Sequence, residues 1–586
     1  MESVKWVWKY AKQYRLLTVV AIFLVIVTSI LSIVYPLLGG RIVDVVIDQG
    51  KTDLLVPILG VMMGVAFLRT VLRYCYQMMF EKIGQDSLFR IREDLYQKLQ
   101  ELDFNFFNQT RVGDIMARMT GDTDAIRHFV SWVFYNLLEN LLLFICAVVV
   151  MATIDWRLML ALVAVTPIIG ILTMRMANEA QPIFYEIRES FSRLNSMVEE
   201  NISGNRVVKA FAREDFEIDK FNQHNEDFKQ RNMDSAAVSK RYLPLLDSLA
   251  SSLTIITFVF GGYLVIINQM TLGDLVAFTG FLWMLNMPMR MSGWLINDVQ
   301  RFIASSFKIR EMLGAKSRIP IHSENSVSHL EGFVEFDHVS FHFDDDPTTE
   351  VLSDISLKAA PGQTIGILGE TGSGKSTLVN LIARFYDPTS GKILIDGVDA
   401  RKWHVRELRN HIAIVMQDIF LFSDTIGDNI AFGVPDAEEA DIQRMAQIAD
   451  ANHFIEKMPE GYGTIVGERG VGLSGGQKQR ISLARALMKN PAILILDDTT
   501  SAVDMETETK IQEELDGITG NKTTFIIAHR ISSVKDADEI LILEQGKIIE
   551  RGTHESLLAK RGYYFDVFNK QLGNFDEKEE MTNGEK

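Results

Sequence analysis

The sequence predicts two folds in one chain: an all-α transmembrane domain of six helices, followed by an α/β domain. Six long apolar runs occupy roughly the first half of the 586 residues. Behind them, short apolar strands alternate with helical stretches, which is typical of a largely parallel sheet. A chain of this length is also far more than one hydrophobic core, so several domain-sized units are expected.

Each apolar run is close to the length that crosses a bilayer, for which about 20 helical residues suffice. The first run is too long for the apolar core of a signal peptide, and no small-residue cleavage site follows it. We therefore predict six spanning helices, at Leu16–Leu38, Leu54–Met79, Phe129–Met151, Leu158–Met174, Leu245–Ile267 and Leu272–Trp294.

The distribution of charge predicts the orientation of these spans. The link after the first span, from Asp44 to Asp53, is acidic, whereas basic residues gather between spans two and three and between spans four and five. The positive-inside rule places those two connections, both termini and the α/β domain in the cytoplasm. We thus expect a multi-pass protein of the cell (cytoplasmic) membrane, surrounded by membrane lipids. Helical periodicity suggests that the inner connections extend the spanning helices and end in short turns.

Composition divides the chain further and excludes some classes of function. We predict a transmembrane domain over 1–316, a polar linker over 317–330, an α/β domain over 331–573 and a charged, disordered tail over 574–586. A net charge of −17 argues against non-specific binding to nucleic acid, which needs a basic face. Cys75 and Cys146 lie in apolar segments, so we expect free thiols and no disulfide framework.

A glycine-rich loop follows the predicted strand TIGILG and matches the phosphate-binding pattern G-x-x-x-x-G-K-[ST] in full. Its glycines let backbone N–H groups face phosphate oxygens, Lys375 reaches the terminal phosphates, and Ser376 is placed for Mg²⁺. The run ILIL ends in Asp497, which beside such a loop is typical of a carboxylate that holds the metal. The predicted nucleotide-binding residues of this loop are Gly369, Glu370, Thr371, Gly372, Ser373, Gly374, Lys375, Ser376 and Thr377.

The motif LSGGQ, together with the phosphate loop, resembles the ABC ATPase family, and the resemblance covers about Val334 to Lys570. It implies that ATP and Mg²⁺ are the cofactors. It also implies that the motif opens a helix whose N-terminus faces the γ-phosphate bound by another subunit, a positive helix end suited to an anion. The residues assigned to this contact are Leu473, Ser474, Gly475, Gly476 and Gln477.

Other positions match the family's pattern one by one. Phe343 takes the place of the aromatic residue, usually Tyr, that stacks on adenine, and Asp504 falls in the segment SAVD that resembles the D-loop. Gln417 matches the residue that senses the γ-phosphate and Mg²⁺, and His529 matches the switch histidine. The resemblance therefore implies Asp497, Asp498, Gln417 and His529 as catalytic residues, and Ser376, Gln417 and Asp497 as metal ligands.

Asp498 departs from the pattern, because exporters usually have Glu at this position to polarise the attacking water. The missing methylene pulls the carboxylate back by about 1.5 Å, and misplacement of that size can cost about 10²-fold in rate. We expect this chain's own site to bind ATP but hydrolyse it slowly. Beside an intact LSGGQ, this favours a heterodimer with a second ABC half-exporter; the alternative is a homodimer that tolerates Asp.

The membrane half also resembles exporters, through Phe106 to Arg118 and Glu200 to Phe211 in the two inner connections. The position of Glu139 near the middle of the third predicted span makes it either a functional group or a hydrogen-bonded packing residue. The Met- and Trp-rich sixth span offers either an adaptable surface for ligands or plain packing. The candidate substrate residues are Glu139, Asn136, Asn286, Met287 and Trp283.

These observations together imply ATP-coupled export of small hydrophobic or amphipathic compounds, of the multidrug type. A lipid or peptide exporter is the nearest alternative, and a non-transporting ATP-gated sensor or channel subunit is another. A nucleic-acid repair ATPase can share the phosphate loop and LSGGQ, but it lacks six membrane spans.

Overall fold

A computed structural model describes residues 2–319, 329–499, 510–511, 513–514 and 522–571. The chain forms two compact units, the first made of Met1–Gln100 with Val112–Ala315 and the second of Glu101–Arg111 with Lys316–Lys586. The short segment Glu101–Arg111 thus belongs to the second unit, although it interrupts the first in sequence. The predicted tail and Asp504 lie outside the described residues.

The N-terminal 315 residues are almost entirely helical. The longest helices have 38 to 47 residues, about twice what a bilayer needs, which agrees with spanning helices that continue into the inner connections. Short π-helical segments lie between or after the α-helices, at Ile42–Asp48, Arg118–Asp122, Phe129–Val133 and Thr257–Gly261. The α-helices are α1 Glu2–Ala11, α2 Arg15–Leu31, α3 Val34–Arg41, α4 Leu55–Glu101, α5 Phe104–Gln109, α6 Val112–Ala117, α7 Thr123–His128, α8 Phe134–Ile154, α9 Trp156–Val163, α10 Thr166–Ser203, α11 Asn205–Ala210, α12 Glu214–Ile256, α13 Gly262–Ile266 and α14 Leu272–Gly314.

Five helical segments are long and apolar enough to cross a membrane, at Glu2–Asp48, Thr52–Glu101, Val112–Ile154, Trp156–Ser203 and Glu214–Ile266. They cover the first five predicted spans, except that the fifth prediction ends one residue later, at Ile267. The sixth predicted span lies in α14, a continuous helix of 43 residues that does not reach the same apolarity among the described residues. Polar residues such as Asn286 and Arg290 lower its hydropathy.

The start of α14 is held against α3 and the π-helical turn that follows α3. Asp44 accepts hydrogen bonds from the backbone N–H of Gly273 at 2.6 Å and from the Thr271 hydroxyl at 2.7 Å. The backbones of Gly40 and Gly273 lie so close that a Cβ on Gly273 would stand 2.3 Å from the Gly40 carbonyl oxygen. This contact therefore requires glycine, as close helix packing in membranes commonly does.

Gly273→Ala is expected to lower the Tm of the detergent-solubilised protein by several degrees, because overpacking costs about 1–3 kcal/mol. The measurement is thermal unfolding followed by tryptophan fluorescence. Gly262→Ala is the matched control, since a Cβ there would meet no atom within 4 Å among the described residues. Equal Tm values for the two variants would contradict the close approach of α3 and α14.

The second unit contains two sheets. One is antiparallel with strand order β2-β1-β4-β5, and the other has six strands in the order β10-β9-β3-β8-β7-β6. The strands are β1 Val334–Phe341, β2 Leu352–Ala359, β3 Thr364–Gly369, β4 Ser390–Ile395, β5 Val398–Asp399, β6 Ile412–Val415, β7 Ile493–Asp497, β8 Thr523–Ile527, β9 Glu539–Glu544 and β10 Lys547–Gly552. The helices are α15 Lys375–Ile382, α16 Val405–Asn410, α17 Ile426–Ala431, α18 Glu439–Ile448, α19 Asn452–Ile455, α20 Gly475–Met488 and α21 His554–Lys560, followed by a helical stretch at 563–571.

The six-stranded sheet is parallel except at β10, which confirms the predicted α/β fold with a largely parallel sheet. Ile367 of β3 and Asp497 of β7 both pair with Ile527 of β8. The carboxyl ends of these three strands therefore meet at one edge of the sheet. In open α/β sheets this edge is where ligands bind.

Candidate nucleotide-binding site

The loop between β3 and α15 has a backbone that only glycine accommodates at two points. Gly369 has φ +154°, and a Cβ there would lie 2.1 Å from the carbonyl oxygen of Leu543. Gly374, with φ +100°, caps α15, and a Cβ there would lie 2.8 Å from the carbonyl oxygen of Val351. The sequence pattern thus folds into a tight loop that leads into a helix N-terminus, the arrangement that cradles phosphates.

Lys375 lies inside this loop, 5% exposed, and its ammonium donates hydrogen bonds to the carbonyl oxygens of Gly369 at 3.0 Å and Glu370 at 2.8 Å. Burial lowers the pKa of Lys375, while the charges of Asp497 and Asp498 act in the opposite direction. The buried hydroxyl of Ser373 has no hydrogen-bond partner in the part of the chain that the structure describes. A cation and an unsatisfied hydroxyl in one glycine loop fit a phosphate group.

Asp497 ends β7 and is 9% exposed, and the Ser376 side chain is hydrogen-bonded to its carboxylate. Burial is the largest cause of the raised pKa of Asp497, and the negative charge of Asp498 adds to it. No group of three His, Cys, Asp or Glu residues that could hold a metal occurs among the described residues. A hydroxyl next to one carboxylate nevertheless fits Mg²⁺, which typically takes one or two carboxylates and completes its shell with phosphates and water.

Asp498 follows with a left-handed backbone, at φ +53°. Its N–H donates to the carbonyl oxygen of Ile527 at 2.9 Å, and its carbonyl oxygen accepts a hydrogen bond from the Gln479 side chain at 3.3 Å. The backbone of Asp498 is therefore held from both sides. Gln479 is buried on α20, so the sequence prediction missed a residue that ties the LSGGQ helix to the end of β7. Its only signal was its position two residues after the motif.

His529 and Gln417 both lie on exposed loops at the same edge of the sheet, after β8 and β6 respectively. His529 lines a small cavity of about 130 Å³ together with Gly369. The helical stretch 563–571 supports this loop, because the Gln571 side chain donates to the His529 carbonyl at 2.8 Å and accepts from the Ile531 N–H at 3.0 Å. Sequence reasoning gave no role to Gln571.

Ser474 is the N-cap of α20 and forms a capping box with Gln477. The Ser474 hydroxyl accepts from the Gln477 N–H at 3.4 Å, and the Gln477 side chain accepts from the Ser474 N–H at 2.9 Å. Ser474 and Gly475 are exposed, while Leu473, Gly476 and Gln477 are half-buried. The helix N-terminus that these residues form is thus open to a ligand held by another molecule.

Phe343, predicted to stack on adenine, is half-buried just after β1. Its ring makes edge contacts with Phe341 at 5.0 Å and with Tyr386 at 5.4 Å between ring centroids. These two neighbours support one side of the ring. Asp504 falls outside the described residues, so the structure gives it no place.

The candidate substrate residues do not share one environment. Glu139 is buried in α8 and accepts a hydrogen bond from the Tyr76 hydroxyl of α4 at 3.2 Å. Asn136 donates to the carbonyl oxygen of Trp132 on its own helix. The side-chain oxygen of Asn286 is buried without a partner in the described part of the chain. Trp283 and Met287 are exposed and lie one helical turn apart on α14.

Comparison with known proteins assigns both units to one family. Residues 18–289 match the family described as ABC transporter transmembrane region, and residues 352–501 match the family described as ABC transporter. The uncharacterised ABC transporter ATP-binding protein YknU of Bacillus subtilis is 38% identical over 97% of this chain and 98% of its own length. The multidrug export ATP-binding/permease protein YgaD of the same species, so named provisionally, is 36% identical over 96% and 98%.

A solved structure agrees with these relatives. The ATP-bound structure of a bacterial Atm1-family ABC exporter superposes with a TM-score of 0.81, at 27% identity, over 95% of this chain and 98% of that one. Both the membrane-spanning fold and the ATPase fold are therefore those of exporters. The chain belongs to the ABC exporter family, whose half-transporters couple ATP hydrolysis to transport across a membrane and work as dimers.

Proposed function

We propose that this chain exports hydrophobic or amphipathic compounds across the cytoplasmic membrane, with its ATPase domain in the cytosol, as one half of a heterodimer. The observation that carries the heterodimer is the pairing of an intact LSGGQ with Asp498 in place of the catalytic Glu. Relatives with names that refer to multidrug export support the substrate class.

The membrane half offers polar groups for such a substrate. Glu139 is buried within an apolar helix, where a carboxylate is costly unless it serves a ligand or a partner. The Asn286 side-chain oxygen accepts no hydrogen bond from the residues that the structure describes, and Pro288 lies two residues further along α14. A carboxylate together with an amide acceptor and Trp and Met side chains suits amphipathic cations.

The requirement for a second subunit is supported by apolar surface. On the second unit Phe420, Phe422 and Phe432 are 41 to 57% exposed, and Arg485 lies over two of these rings. Large exposed apolar side chains that cluster in this way are typical of interaction sites. The turn between α10 and α12 carries a matching set of exposed apolar residues, Ile202, Val207 and Phe211. We assign the aromatic cluster to docking of the partner's corresponding turn.

Within the site, Lys375 and the loop N–H groups hold the phosphates of ATP, and Phe343 stacks on the adenine. Ser376 and Asp497 would hold Mg²⁺, with Gln417 as a further ligand, and the metal would supply charge neutralisation for phosphoryl transfer. Asp498 polarises the attacking water, and His529 orients the terminal phosphate of ATP. Because the Asp498 backbone is hydrogen-bonded at both its N–H and its carbonyl, it cannot shift to compensate for the shorter side chain. Hydrolysis at this site is therefore slow.

Export is tested with inside-out membrane vesicles that contain the transporter. ATP with Mg²⁺ is expected to drive accumulation of the cationic dye ethidium, and vanadate is expected to stop it. Glu139→Gln keeps an acceptor for the Tyr76 hydroxyl but removes the charge, so uptake of ethidium should fall by about fivefold or more while a neutral amphipathic dye is unaffected.

Other results of the same experiment point to the alternatives. ATP-dependent movement of a fluorescent phospholipid without dye uptake would identify a lipid exporter. Uptake of a labelled peptide alone would identify a peptide exporter. ATP-dependent ion conductance with no uptake of any of the three probes would favour a sensor or channel subunit. Slow hydrolysis at the site with Asp498 is compatible with that alternative as well.

A further inference from the structure

Phe343 is joined to the segment Glu101–Arg111 through a single tyrosine. Tyr386 is 8% exposed, and its ring contacts the Phe343 ring edge-on at 5.4 Å. On its other side the Tyr386 hydroxyl accepts a hydrogen bond from the Asn108 side-chain amide at 2.9 Å. All three residues belong to the second compact unit. One side chain therefore touches both the base-stacking ring and the segment that connects two membrane spans.

The residues around Tyr386 are closely packed and paired. Arg384 is fully buried in a left-handed backbone conformation and pairs with Asp387 at 2.9 Å. The neighbouring Phe385 packs against Phe104 of α5 at 4.6 Å, and the guanidinium of Arg409 covers the Phe385 ring at 5.1 Å. This stretch directly follows α15, the helix that begins at Lys375. The phosphate end and the adenine end of the site thus converge on the same few residues.

A second connection runs parallel to the first. Asp103, the N-cap of α5, accepts hydrogen bonds from the Ser317 hydroxyl at 3.2 Å and from the Arg318 N–H at 2.5 Å. The Arg318 guanidinium pairs with Asp344, the residue after Phe343. Side-chain contacts therefore connect one end of α5 to Phe343, through Tyr386, and the other end to Asp344, through Arg318.

We propose that Tyr386 is a positioning residue that transmits occupancy of the adenine pocket to the segment Glu101–Arg111 through its hydroxyl bond to Asn108. The proposal rests on the proposed stacking of adenine on Phe343. Stacking fixes the Phe343 ring, the Phe343 ring fixes the Tyr386 ring, and the hydroxyl then holds the Asn108 amide in one position. Without nucleotide, the Tyr386 ring loses this support and the segment is less tightly held.

The test uses the assembled transporter in lipid nanodiscs, with Cys75→Ala and Cys146→Ala and a reporter cysteine, Ala277→Cys. Ala277 is 2% exposed where α14 packs near Gly40, so its alkylation reports movement in the membrane half. ATP with vanadate should accelerate alkylation by a charged maleimide. Tyr386→Phe and Asn108→Ala should each reduce that acceleration by about fivefold, the effect of one lost hydrogen bond on a two-state equilibrium.

Basal ATP hydrolysis and the KM for ATP should stay within about twofold in both variants, since the Tyr386 ring and the site remain. The double variant should be no worse than either single variant, because both remove the same bond. Tyr462→Phe is the matched control, since it removes a similar hydroxyl bond, to Asn452 at 2.6 Å, elsewhere in the same unit.

Three results would overturn the proposal. These are unchanged acceleration in Tyr386→Phe and Asn108→Ala, an equal loss in Tyr462→Phe, or multiplicative losses in the double variant. Failure of the underlying site assignment appears separately, as a Phe343→Ala variant whose KM for ATP equals that of the parent. A parent transporter without any nucleotide-dependent alkylation would contradict ATP-driven movement of the membrane half, and this proposal with it.

Discussion

Ser474→Asp is expected to reduce ATP hydrolysis by the assembled transporter about 10²-fold or more, because it places a negative charge where the other subunit's γ-phosphate must dock. Ser474 is exposed at the N-terminus of α20 and caps that helix. Asp is as good an N-cap as Ser, so α20 itself should remain intact. The loss would therefore reflect electrostatics at the phosphate and not unfolding.

Ser474→Asn separates these two effects. Asn has the shape of Asp, also caps helices well, and carries no charge. We expect its ATPase rate to stay within about tenfold of the parent and its Tm to equal that of Ser474→Asp. The measurement is the steady-state ATPase rate of each variant in the same lipid. Similar rates for the two variants would mean that Ser474 does not face a phosphate.

Asp498→Glu is expected to raise hydrolysis at this chain's own site by about 10- to 100-fold, because the added methylene restores the reach of the carboxylate. The hydrogen bonds of the Asp498 N–H to Ile527 and of its carbonyl to Gln479 fix the backbone, so the side chain alone sets that reach. The gain is best measured on the assembled transporter, as the share of vanadate-trapped 8-azido-ATP label that falls on this chain.

The gain should come with a small loss of stability. Asp498 has φ +53°, a left-handed conformation that Asp tolerates better than Glu. Asp498→Asn, which keeps the size but loses the charge, should remove the residual activity. If Asp498→Glu and Asp498→Asn gave the same rate as the parent, the length of the carboxylate would not be the limiting feature of this site.

Much of the site could be predicted because it consists of short motifs that carry their own geometry. The glycines at 369 and 374 are required by backbone contacts within a few ångströms of the loop. The runs TIGILG, AILILD and TTFIIA are continuous apolar strands, as buried parallel strands are. Their carboxyl ends carry the phosphate loop, Asp497 and His529, so the parallel arrangement alone brings these groups together.

The missed features depend on contacts between distant parts of the chain. The sequence prediction did not identify β2, which has the alternating sequence LSDISLKA and a face buried in the core, or β6, which has just four residues. Gln479, Gln571 and Tyr386 act through hydrogen bonds to residues 19, 42 and 278 positions away.

The most direct test is photolabelling of the transporter purified from the cells that make it, with 8-azido-ATP trapped by vanadate. Vanadate traps nucleotide only at a site that has hydrolysed it, and the azide marks the chain that holds the adenine. The account predicts two different chains, with most of the label on the partner and little on this one. A single kind of chain, or equal labelling of both, would contradict a slow site that relies on an unlike partner.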